Sequence, residues 1–161
     1  MTYFTKTYFK DDHERQTIEA ALRKFASKRH TSLDFKSSST DVGTEKCFLG
    51  LEGKKDLKFT RLRTSFERVL PKMIISFPKN NDQAYYKIRL SFLATIVFGL
   101  FSVGLLLNLV FLIAGRTSFD NFLTVVIIFS AYLFLIFMEL KLTKSRIEKV
   151  IRKYSLTRQE A

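Results

Sequence analysis

Two long apolar runs dominate the pattern of hydrophobic and polar positions. The first, LSFLATIVFGLFSVGLLLNLVFLIA, covers residues 90–114, and the second, FLTVVIIFSAYLFLIFMEL, covers residues 122–140, with the polar stretch 115–121 between them. At about 25 and about 19 residues, each meets the roughly 20 helical residues that cross a hydrocarbon core of about 30 Å. The break between them is too short to hold a domain. Together they predict a transmembrane hairpin, since a helix satisfies its own backbone polar groups in lipid.

Ahead of the hairpin the period shortens to two. Residues 2–9 are rich in aromatic and β-branched residues and predict a first strand, and residues 33–36 a second, short one. Between these two, Ile18, Ala21, Leu22 and Phe25 recur at helical spacing behind Asp11, a candidate N-cap, and predict an amphipathic helix over residues 12–29, with Arg15, Arg23, Lys24 and Lys28 on its solvated face. The segment SSSTDVGTE reads as a loop. Cys47, Leu49 and Leu51, then Leu57, Phe59 and Arg61, alternate on either side of the turn EGKKD and predict a hairpin. Pro71 and Pro78 bracket a strand carrying Met73, Ile75 and Phe77, the turn KNND follows, and residues 83–89 predict a last strand running straight into the first apolar run.

The fold class expected is therefore α+β. A small antiparallel β-meander, extended by the amino-terminal strand and covered by one amphipathic helix, occupies residues 1–89. The hairpin follows as residues 90–114 and 122–140 around a short outer loop, residues 115–121. The tail, residues 141–161, predicts a basic amphipathic helix, with Ile147, Val150, Ile151 and Tyr154 on one stripe. This stripe suits either the membrane interface or the face of the sheet.

Charge adds an orientation. Formal net charge is +12 over 161 residues. Lys87 and Arg89 precede the first run and Lys141, Lys144, Arg146, Lys149, Arg152 and Lys153 follow the second, whereas the loop carries only Arg116, with Asp120 beside it. Excess Lys and Arg stay on the cytoplasmic side, so both termini are expected there, in the cell (inner) membrane. The anionic inner leaflet is the expected partner, attracting basic segments by about 1 kcal/mol per residue. The contact set expected is Arg61, Arg63, Arg68, Lys72, Lys87 and Arg89, assisted by the tail residues Lys144, Arg146, Lys149, Arg152 and Lys153. A protein partner or a second copy of the chain is the other candidate, and nucleic acid is disfavoured because a membrane already accounts for the charge.

Within the runs, Asn108 and Glu139 are the ionisable or strongly polar residues to look at first for function. Asn108 is expected to hydrogen-bond between helices, and Glu139 to pair with Lys141 at the membrane boundary. Thr95, Gly99 and Ser102 form a stripe of small residues expected to meet Ser130 and Ala131 on the second helix. Catalytic chemistry is not signalled. Cys47 is the one cysteine, His13 and His30 have no ligand spacing to it or to a carboxylate, and neither a metal nor a cofactor is expected. A non-catalytic membrane anchor is the expected function; the alternative is a subunit of an oligomeric channel, transporter or membrane-disrupting assembly.

Phe48, Gly50, Phe59, Arg61, Ser65-Phe66 and Pro71, followed by Ile88-Arg89-Leu90 at the hairpin, resemble a family of small, uncharacterised bacterial membrane proteins. The resemblance runs from Phe48 to Leu140. The Tyr-Arg-Asn usual in that family before Ser-Phe is Leu62-Arg63-Thr64 here. It implies a cytoplasmic β-rich domain ahead of two transmembrane helices, and implies no activity.

Overall fold

The computed structural model describes residues 3–9, 11–29, 32–34, 46–54, 56–79 and 85–159. Its elements are β1 (Tyr3–Tyr8), α1 (Asp12–Lys24), β2 (Ala26–Arg29), β3 (Phe48–Glu52), β4 (Asp56–Arg61), β5 (Met73–Pro78), β6 (Tyr85–Leu90), α2 (Phe92–Ile113) and α3 (Phe119–Gln159), with a 3-10 turn at Phe66–Val69. The SSST loop, His30, and parts of the expected 33–36 strand, the KNND turn and the strand from residue 83 lie outside the described residues.

The meander from β3 to β6 is present, and it is flanked on both sides. The six strands lie in the order β1-β6-β5-β4-β3-β2. β1 pairs antiparallel with β6, while β2 pairs parallel with β3 and makes the sheet mixed. This second flank corrects the sequence expectation, which ran the helix on to residue 29. The chain leaves the helix at Phe25, whose carbonyl accepts from the amides of Cys47 and Phe48, 2.9 and 3.2 Å away. Ala26–Arg29 reads ASKR, in which Ala26, Lys28 and Arg29 have good helix propensity, and the open edge of β3 overrides it.

Alternation sorts the sheet into two faces. Phe59, Ile75 and Ile88 occupy neighbouring strands on one face, together with Phe48, Leu57, Met73, Phe77 and Leu90. α1 lays Ile18, Ala21 and Leu22 against that face, and α3 adds Ile136, Ile147 and Val150. Each such large apolar side chain contributes about 1.5–3 kcal/mol on burial. Arg15, expected on the solvated side of α1, is instead buried and donates to the Pro78 carbonyl at 2.8 Å.

Gly50 marks the tightest approach in this layer. A Cβ there would lie 3.2 Å from Phe59 Cε1 and 3.3 Å from Ala26 Cβ, both within the core. Gly50→Val is expected to lower stability by about 1–3 kcal/mol through overpacking. A thermal melt of the full chain in detergent checks it, and an unchanged midpoint would contradict the assigned register of β2 on β3.

α2 and α3 are long and apolar enough to cross a membrane, with mean hydropathy of 2.6 and 2.4 over their most apolar windows. They run antiparallel, meeting through Phe98 with Phe129 and Phe101 with Tyr132, whose hydroxyl donates to the Ala94 carbonyl at 3.1 Å. Aromatic side chains therefore make the contact that small residues were expected to make. Gly99, Ser130 and Ala131 are exposed, and nothing lies within 4 Å of a Cβ built at Gly99. Thr95 and Ser102 turn back to the carbonyls of Ser91 and Phe98 in their own helix. Gly115, at a φ of 66°, ends α2 in the left-handed conformation that glycine adopts without cost.

α3 is one helix of 41 residues. The second apolar run and the basic tail were expected as separate elements, but no break divides them. Ile136, Glu139, Thr143, Ile147 and Val150 are all buried and fall three or four residues apart, so a single stripe crosses from the apolar half into the charged half. This stripe, not the opposite side of the helix, faces the sheet unit.

Candidate functional site

The functional candidates gather where the sheet unit meets α2 and α3. Three arrangements meet at this junction. The first is ionic. Arg61 closes β4 on the helix-covered face, in phase with Leu57 and Phe59, and reaches Glu139 on α3 at 2.6 Å and Glu67 on the 3-10 turn at 2.7 Å. The Arg61 and Glu139 side chains are 1% and 2% exposed. Glu139 thus pairs with the sheet rather than with Lys141, which is exposed. Burial pulls the Arg61 guanidinium down, and its hydrogen bonds to Glu139 and Glu67 more than offset this, leaving it raised. Burial pushes the Glu67 carboxyl up, but the Thr64 amide and Arg61 outweigh it and hold it below the usual carboxylate range.

The second arrangement fixes the start of α2. Leu90 ends β6, Ser91 caps the helix by accepting from the Ala94 amide at 3.4 Å, and the Ser91 amide donates to the Lys72 carbonyl at 2.8 Å. Asp34 comes in from the β2–β3 connection. It accepts from both Nη atoms of Arg89, at 3.1 and 3.2 Å, and from the Phe92 amide at 2.9 Å. Burial pushes the Asp34 carboxyl up, while Arg89 and the Phe92 amide prevail and hold it low, as suits an anion at a helix N-terminus. Strand and helix are therefore joined by one residue that is bonded on both sides.

The third arrangement is a cleft of about 420 Å³ beside that joint. Arg63, Arg68 and Lys72 line it together with Leu93, Ala94 and Val97 of α2. Lys72 donates to the Leu33 carbonyl and Arg63 to the Leu70 carbonyl. Burial first, and then Arg63 beside it, pull the Lys72 amine down to about 8, with Asp34 partly offsetting them. At the rim, Phe66 and Val69 of the 3-10 turn are 96% and 76% exposed on either side of the exposed Arg68.

The expected contact set is thus divided by the structure. Arg61 and Arg89 are buried in ion pairs and do not form a free surface, because each sits on a strand position facing a packed layer. Arg63 and Lys72 are also buried, yet they line the cleft. Arg68 is exposed, and Lys87 is half-buried with its ammonium 5.0 Å from the Tyr85 ring centroid. On α3, Lys144, Lys149, Arg152 and Lys153 are exposed and Arg146 is half-buried, and Lys153 lies over the Phe25 ring at 5.2 Å. The tail stripe accordingly docks on α1 and the sheet unit instead of lying free for the interface. Asn108 donates to the Gly104 carbonyl of its own helix at 3.0 Å, not to α3.

Two features escaped the sequence reading. Cross-strand register sets Lys6, Lys87, Ser76 and Lys58 in one row across four strands on the second face of the sheet, a basic line visible only once the strand order is known. The joint exposure of Phe66 and Val69 was not foreseen, although Ser65-Phe66 was noted, because a 3-10 turn has no long period to read. Among the described residues, no three His, Cys, Asp or Glu side chains are grouped to hold a metal ion, and His13 is exposed on α1. The junction brings cationic and apolar side chains to one cleft. Compared with known protein families, curated proteins and solved structures, the chain matches none.

Proposed function

We propose that the chain is a non-catalytic integral membrane protein in which α2 and the first half of α3 cross the cell (inner) membrane as a hairpin. They hold a small basic α+β domain against the inner leaflet, where it binds anionic lipid headgroups. The observation that carries this reading is the outward exposure of apolar side chains along both helices. Leu100, Leu106 and Ile113 on α2, and Ile127 and Phe134 on α3, are exposed, and none of the most apolar window of α2 is buried. A core helix of a water-soluble protein hides such a surface; contiguous apolar area this large calls for lipid or a partner.

Length and charge support the same reading. α3 extends about 60 Å at 1.5 Å per residue, twice the thickness of a hydrocarbon core, so its charged half projects well beyond the bilayer. The positive residues collect at that end and around the β6–α2 joint, and the connecting turn carries Arg116 alone before Asp120. This asymmetry supports a cytoplasmic location for both termini. The full chain is expected to remain with membranes after alkaline carbonate washing and to require detergent or nanodiscs for purification. Recovery as a monodisperse species without either would overturn the reading.

A further inference from the structure

Arg63, Arg68 and Lys72 bring three positive charges to one cleft, in which Asp34 is the lining carboxylate and is already held by Arg89. Lys72 and Arg63 are held in place at the cleft by the carbonyls of Leu33 and Leu70. Leu93 and Val97, one turn apart on the first turns of α2, line the same cleft. Cation and hydrocarbon therefore border one volume of a size typical of small-ligand sites. The rim repeats the pattern. Phe66 and Val69 present apolar side chains to the exterior on a turn whose middle carries Arg68. A freely soluble anion would use the first half of this surface and leave the second idle, whereas an amphiphile uses both.

We propose that this cleft is a binding site for the phosphate of an anionic phospholipid in the cytoplasmic leaflet, with acyl chains lying along Leu93 and Val97 and with Phe66 and Val69 inserted beside the headgroup. The inference rests on the hairpin reading above, which sets the first turn of α2 at headgroup level. Arg63 and Lys72 bind the phosphate from below through charge-assisted hydrogen bonds, and Arg68 closes over it from the rim. The Lys72 amine, brought down to about 8, is still charged at neutral pH and gains a stabilising neighbour when the anion enters. Inorganic phosphate shares the headgroup chemistry but cannot use the apolar wall.

The test uses the full chain in mild detergent, mixed with dioleoyl phosphatidylglycerol or dioleoyl phosphatidylcholine and examined by native mass spectrometry. One phosphatidylglycerol is expected to be retained preferentially. Arg68→Ala and Lys72→Met are each expected to reduce its retention about tenfold, the loss of one charge-assisted hydrogen bond. Lys54→Ala with Lys79→Ala, both exposed and outside the cleft, should leave retention unchanged. Dihexanoyl phosphatidylglycerol should displace the retained lipid, and millimolar inorganic phosphate should not. Should Lys72→Met unfold, Arg68→Ala decides alone, since its side chain is exposed. Equal retention by wild type and Arg68→Ala overturns the cleft while the hairpin stands, and displacement by phosphate alone overturns the lipid in favour of a simple anion. A chain that stays dispersed without detergent overturns the hairpin and the cleft with it.

Discussion

Glu139→Ala is expected to destabilise the full chain by about 3–5 kcal/mol, the effect of leaving a buried guanidinium without its main counter-charge. Arg61 is 1% exposed and donates to two carboxylates, of which Glu139 is the buried one. Glu67, at 21% exposure, is partly hydrated and cannot take over Glu139's place on α3. With Glu139 gone, Arg61 either stays charged in a poorly solvated site or pulls β4 away from α3 to reach water. The loss is a large part of the roughly 5–15 kcal/mol that typically holds a domain folded. Replacing both members is expected to behave differently. Arg61→Met with Glu139→Leu removes the charges together, and apolar replacement of a buried pair is often neutral or stabilising. Denaturant titration of the detergent-solubilised chain measures both. A double variant as unstable as Glu139→Ala would show that the site needs the ion pair itself and not merely the absence of an unpaired charge.

Ile147→Asp is expected to cost a similar 3–5 kcal/mol and to act locally, by detaching the charged half of α3. Ile147 and Val150 are each 3% exposed, between α1 and the helix-covered face of the sheet. Around them, Lys24 lies 5.7 Å from the Tyr154 ring centroid and Lys153 lies over Phe25, contacts that depend on the docked helix. An aspartate at residue 147 strands a carboxylate in that layer. Limited trypsin digestion reads the outcome, because Lys149, Arg152 and Lys153 become cleavable once the helix lifts off and frays. Cleavage at the wild-type rate would mean that this half of α3 is not held by the sheet unit.

Much of the architecture was legible because long apolar runs and period-two alternation are local signals. The phase of β4 already placed Arg61 beside Leu57 and Phe59, and the spacing of Ile136, Glu139, Thr143, Ile147 and Val150 already described one continuous stripe. Reading the apolar run and the tail as separate elements hid that stripe, and with it the partner of Arg61. β2 was illegible for another reason. ASKR carries no strand preference, and only the free edge of β3 makes it one. The burial of Arg89 and Lys72 depends likewise on Leu33 and Asp34, which arrive from far away in sequence. Counting positive residues along the sequence could not separate the cations that hold the joint together from those that line the cleft.

The most direct test of the central claim is accessibility across the membrane in intact cells. In a Cys47→Ser background, a cysteine at Thr117, in the turn between α2 and α3, should react with a membrane-impermeant maleimide added outside. A cysteine at Ser145, on the charged half of α3, should react only after the cells are opened. Protection at position 117, or labelling at 145 before lysis, would contradict the hairpin and the inner-leaflet placement of the sheet it carries.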